Sequence, residues 1–131
     1  MGKKRSNKEY DENIVEALNK LKTPIIGKNG KAYYIRDEAR FESGIYHIAN
    51  KNHRLKVRDI ESIPFILKHP TFESIDPKNK NYRNYYGIRK GTNKNNILIK
   101  IVTWPYENDS NIELIITIYP TNSIKIEKDS K

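Results

Sequence analysis

The apolar positions change period along the chain. Between Glu9 and Leu21, Tyr10, Ile14, Ala17, Leu18 and Leu21 recur at helical spacing with Glu and Lys between them, which predicts an amphipathic helix. Thr23-Pro24 ends it, because proline cannot continue the hydrogen-bond ladder and biases the preceding residue away from helical backbone. Ile25-Ile26 and Ala32-Tyr33-Tyr34-Ile35 flank the turn-like Lys28-Asn29-Gly30 and read as a short hairpin. Ser43 to Asn52 reads as a short helix carrying His47. A further helix is expected from about Asp59 to His69, where Asp59 can cap and Ile60, Ile63, Ile66 and Leu67 share a face. Pro64 suits that helix only within its first turn, and Pro70 stops it.

Beyond Pro70 the period drops to two. Phe72 to Ile75, Tyr85 to Lys90, Ile97 to Trp104 and Ile112 to Tyr119 read as four antiparallel strands, joined by Asn-, Lys-, Gly- and Pro-rich turns and followed by a tail from Ser123 to Lys131. Because strand side chains alternate faces, Ile112, Leu114, Ile116 and Ile118 are expected on one side and Glu113, Ile115, Thr117 and Tyr119 on the other. Ile97, Ile99, Ile101 and Thr103 alternate with Leu98, Lys100, Val102 and Trp104, while Tyr86 and Ile88 oppose Tyr85, Gly87 and Arg89. One sheet face then buries against helices, and the other presents Arg89, Lys100, Thr117 and Tyr119 together.

A length of 131 residues favours one domain with a single core. Residues 1–22 read as an amphipathic helix or linker extension ahead of a domain over residues 23–131. With 36% hydrophobic and 31% charged residues, a compact core must sit under a strongly solvated surface. The 25 Lys and Arg against 16 Asp and Glu give a net charge of +9, which attracts nucleic acid through counterion release and acidic proteins as well. The absence of cysteine excludes disulfides, thiolate metal sites and a cysteine nucleophile. No segment approaches the length of a membrane span, and the charged start Met1-Gly-Lys-Lys-Arg runs into polar residues, so export would depend on another module. His-Glu-x-x-His, EF-hand and phosphate-cradling glycine patterns are missing, so neither metal nor cofactor is expected.

Against that background the histidines stand out. Of three in the chain, His47 and His53 lie six residues apart, and histidine is the side chain whose ordinary pKa falls near neutrality. Paired in a polyanion-attracting protein, they suggest proton transfer at a phosphodiester. Metal-independent RNA cleavage needs a base for the 2′-hydroxyl, an acid for the 5′-oxygen and fixed donors around the phosphorane. His47, with His53 or a tyrosine as second group, could exchange the protons. Arg89 and Lys100 could hold phosphate oxygens, and Thr117 and Tyr119 could aim hydroxyls at them. Tyr82, Tyr85 and Tyr86, interleaved with Lys80, Arg83 and Arg89, fit RNA contact, with Lys51 and Arg40 as further basic contacts. On an uninterrupted helix, six residues turn about 240° past a full revolution, so the two imidazoles meet only if the helix ends between them. His69, before Pro70, reads instead as a helix-closing residue.

Tyr46-His47-Ile48 with His53 downstream, Arg58-Asp59-Ile60-Glu61-Ser62-Ile63 leading to Ile66-Leu67-Lys68-His69-Pro70, the strand from Tyr85 to Lys90, the strand from Ile97 to Thr103, and Ile116-Thr117-Ile118-Tyr119 follow one another in a telling order. From Tyr33 to Tyr119 this order resembles the phage-associated branch of the barnase, EndoU, colicin and RelE-like (BECR) ribonuclease superfamily. The resemblance implies an α+β fold with N-terminal helices packed on one face of a four-stranded antiparallel sheet whose open face holds RNA. It further implies a toxin domain, delivered within a phage or secreted polypeptide, that acts in the cytoplasm on tRNA or other RNA and is neutralised by an acidic immunity partner. Two rivals use the same residues: a non-catalytic RNA-binding module, and a basic phage accessory protein that meets an acidic partner.

Overall fold

The computed structural model describes residues 10–36, 45–90, 96–107 and 109–121. Helix α1 (Glu12–Lys20) starts where the Asp11 carboxylate accepts from the Asn13 amide at 2.9 Å, and it buries Ile14 and Leu18. Strands β1 (Ile25–Ile26) and β2 (Ala32–Ile35) pair antiparallel around the expected turn. Asn29 and Gly30 there take φ of 64° and 77°, the left-handed backbone that asparagine and glycine tolerate best. Short helix α2 (Ile45–Ile48) and a 3-10 turn (Lys51–His53) follow; the expected start of this helix at Ser43 lies outside the described residues.

The helix expected over 59–69 is two: α3 (Val57–Glu61) and α4 (Ile63–Lys68), broken at Ser62. Pro64 falls in the first turn of α4, where its missing N–H would have had no partner. Asp59 is not the capping residue. It sits within the first turn of α3 and accepts from the Lys56 amide at 2.7 Å.

Strands β3 (Phe72–Ile75), β4 (Arg83–Lys90), β5 (Asn96–Pro105) and β6 (Ile112–Thr121) form the antiparallel meander read from the sequence. The expected four-stranded antiparallel sheet needs correction, because the hairpin joins it: the sheet has six strands in the order β1-β2-β6-β5-β4-β3, with β2 parallel to β6. Tyr33, opposite Glu113 and 1% exposed, is the apolar anchor that draws the hairpin in. The fold is α+β, and α1 shares the same core as the rest.

All the helices contribute to one core on one sheet face. Ile14, Leu18, Ile48, Ile60, Ile63, Ile66 and Leu67 pack on Tyr85, Ile99, Ile101, Ile115 and Ile118. Gly87 lets α4 approach closely, since a Cβ there would lie 2.4 Å from the Ile66 side chain. Two expectations about facing fail. A register shift between Val102 and Thr103 leaves Ile116 as an extra residue in β6, which splits the alternation: Glu113, Ile115 and Ile118 point to the helix side, while Leu114, Thr117 and Tyr119 point away. On β4, Tyr85, Gly87 and Arg89 lie opposite Ile101, Ile99 and Ile97, hence under the helices.

Candidate active site

Among the described residues β2 pairs with β6 from Ile112 to Ile115, and α2 and the Lys51–His53 turn also contact β6. This rim assembles the two histidines. Helix α2 ends at Ile48, so His53 does not continue its spiral; the Asn50 side chain accepts from the Asn52 amide at 2.8 Å and opens a tight turn, which Arg54 closes in the left-handed region at φ 57°. The chain doubles back and the rings of His47 and His53 meet edge to face, 5.3 Å between centroids. His53 lies 6.2 Å from the Tyr119 ring. Lys100, directly opposite Tyr119 on β5, places its ammonium 5.7 Å from that ring and 5.6 Å from the Tyr86 ring.

His53 Nδ1 is 3.0 Å from the Ile48 carbonyl. A carbonyl only accepts, so Nδ1 carries a proton, and in the neutral form of the ring the lone pair lies on Nε2. That tautomer makes His53 the better-defined proton acceptor of the pair, a role the sequence reading gave first to His47.

The other candidate residues divide. Thr117 shares the Tyr119 face, but its Oγ1 is buried and has no hydrogen-bond partner. Lys51 is exposed on the 3-10 turn, and Arg40 lies outside the described residues. Arg83 stands at the far end of β4, beside Trp104 and Tyr106 in a shallow hollow, with Nη1 donating to the Lys80 carbonyl at 3.3 Å. Arg89 does not join the site: it is under the helices, where its Nε donates to the Asp59 carboxylate and only 9% of its side chain is exposed. Its charge is tolerated there because the paired carboxylate neutralises it. Tyr85 is likewise no RNA contact. It is 5% exposed in the core, and its hydroxyl donates to Glu113 at 2.8 Å.

Sequence reading passed over two polar groups that the sheet brings inward. Glu113 is 1% exposed and also accepts from Thr103 at 2.6 Å and Lys31 at 2.8 Å. Asp76, after β3, accepts from the Lys78 and Asn79 amides at 2.8 and 3.1 Å and from Asn84 Nδ2 at 3.4 Å. Partial burial opposes its charge, but those three donors and nearby Lys100 outweigh it and hold the carboxyl below its ordinary range. The only local signal for Asp76 was the Asp-Pro turn.

Among the described residues, no group of three or more His, Asp or Glu side chains converges to hold a metal ion, and no helix is long and apolar enough to cross a membrane. No family model, no curated protein and no solved structure matches the chain.

Proposed function

We propose that this protein is a metal-independent endoribonuclease of the BECR type, a toxin or phage-associated domain that acts in the cytoplasm on tRNA or other RNA and yields a 2′,3′-cyclic phosphate. The observation that carries the reading is the convergence of two imidazoles, a phenol and an ammonium on one rim of a strongly basic protein. His53 Nε2 takes the 2′-hydroxyl proton as the 2′-oxygen attacks phosphorus. The bond from phosphorus to the 5′-oxygen then breaks, and His47 in its cationic form delivers a proton to that oxygen. Lys100 and the Tyr119 hydroxyl face the phosphate oxygens on which charge builds. An acidic immunity protein would be drawn to the same cationic surface.

The test is incubation of the pure protein with total RNA in EDTA. Discrete cleavage with 2′,3′-cyclic phosphate ends is expected, and His47→Ala or His53→Ala should each slow it by about 10² or more. RNA retained without products would replace the enzyme by an RNA-binding module. Full turnover in both variants would remove the histidines from the chemistry.

A further inference from the structure

Away from the histidines, aromatic and cationic side chains share a hollow where β4 begins and β5 ends. It measures about 280 Å³ and is lined by Lys80, Asn81, Arg83, Trp104, Tyr106 and Glu107. Lys80, Asn81, Tyr106 and Glu107 are exposed, and Tyr106 keeps 42% of its surface open to water. The Tyr106 amide donates to the Ile112 carbonyl at 2.8 Å, so the ladder runs on past β5 and the rings two residues apart leave the sheet on the same side.

Both walls are held before any ligand arrives. The Arg36 guanidinium lies 4.8 Å from the centre of the Trp104 ring, and Tyr82 meets that ring at 6.2 Å, so the indole is braced. Opposite it, Asp76 Oδ1 accepts from the Lys78 and Asn79 amides, Asn79 Oδ1 from the Asn81 amide at 3.0 Å, and the Asn79 carbonyl from the Tyr82 amide at 2.9 Å. These bonds fix the loop that carries Lys80 and Asn81. Arg83 is anchored by Nη1 on the Lys80 carbonyl at 3.3 Å, one of five guanidinium donors.

An exposed ring beside two fixed cations matches a nucleotide, whose base stacks while its phosphate meets the ammonium and the guanidinium. Glu107 repels phosphate, which places the phosphate on the Lys80 and Arg83 side. A protein partner needs a patch of about 800 Å², whereas these features converge on a single small concavity. Trp104 stands four residues along β5 from Lys100, roughly 13 Å at about 3.3 Å per residue. The hollow therefore lies beyond the reacting nucleotide.

We propose that this hollow is a stacking site for single-stranded RNA: a base outside the cleavage point lies on Tyr106 against Trp104, with its phosphate on Lys80 and Arg83. This rests on the RNA reading above and adds that the strand is unpaired here, with little preference among bases, since every base has a face that stacks.

The experiment titrates the protein with a fluorescein-labelled 2′-O-methyl hexanucleotide, which cannot undergo 2′-hydroxyl attack, and with a chain of the same length that lacks bases. Trp104 is the only tryptophan, so its emission reports on the hollow. The hexanucleotide should quench it saturably, while the chain without bases binds about tenfold more weakly and leaves it unchanged. Tyr106→Ala should weaken the hexanucleotide about tenfold without affecting the chain that lacks bases. Hexanucleotide binding, seen by anisotropy, with unchanged Trp104 emission overturns the stacking site and leaves the RNA reading standing. A folded Tyr106→Ala protein that binds as tightly as wild type also overturns it, as does equal quenching by polyglutamate, which would mark a site for an acidic protein. No binding of either chain sinks the RNA reading and this site together. Quenching without cleavage of natural RNA removes the enzyme and keeps the site.

Discussion

The two faces of the sheet treat polar groups in opposite ways. Under the helices, each buried carboxylate among the described residues is answered: Glu113 receives Tyr85, Thr103 and Lys31, and Asp59 receives the Lys56 amide and Arg89. On the other face, Ser74, Asn84 and Thr117 each keep a buried atom with no partner. An unmet buried polar atom destabilises by about 1–3 kcal/mol, so a row of them is a burden that packing alone does not justify. The contrast separates a face whose buried polar groups are matched within the fold from one where burial leaves three of them without a partner. Arg89 and Lys100 mark the same division: both are cations on neighbouring strands, one locked beneath α3 and one held between Tyr86 and Tyr119.

The comparison breaks first at Glu113. Glu113→Ala strands a buried phenol, a buried hydroxyl and the Lys31 ammonium, and should lower stability by about 3–5 kcal/mol, read as a lower urea midpoint. A loss near zero would mean that the helix-side network is incidental. Arg89→Ala, which leaves Asp59 charged and 1% exposed, should remove about 3 kcal/mol, and Arg89→Lys should restore only part of it because a lysine cannot reproduce the guanidinium geometry. In both variants RNA affinity of the folded fraction should match wild type. A weakened affinity with unchanged stability would return Arg89 to the RNA site and undo the division of faces.

Much of this architecture was legible because apolar period is a local property. The strands from Phe72 to Thr121 and the hairpin at Asn29-Gly30 lie within a few residues of where alternation and turn chemistry place them. The histidine pair was legible too, with the condition that the helix end between its members, which the Asn50 turn fulfils. What the sequence hid is non-local. A single extra residue at Ile116 reverses facing for half a strand, and no residue type there announces it. β4 carries a tyrosine on each face, so its phase depended on Gly87 admitting Ile66 and on Asp59 neutralising Arg89 from thirty residues away. The pairing of hairpin with β6 is parallel and long-range, and nothing in the local pattern specifies it.

The smallest expected effect tests the matched face through its tyrosines. Burial pushes the Tyr33 hydroxyl up to about 12, with the Glu113 and Glu73 charges adding to the shift and the Tyr85 hydroxyl partly opposing it. Burial raises Tyr85 further, reinforced by Tyr33 and by Glu113. In the unfolded chain both ionise near the ordinary value of 10.0, so as pH climbs past that point the unfolded state releases protons that the folded state keeps. The stabilisation is therefore complete below pH 10 and is lost as pH rises through about 12. Tyrosinate absorbance should show Tyr33 and Tyr85 ionising only as the protein unfolds, and Tyr33→Phe should flatten the fall in stability over that window. If all nine titrate together in the folded protein, the cluster around Glu113 is open to water and the distinction between the faces loses its better-defined half.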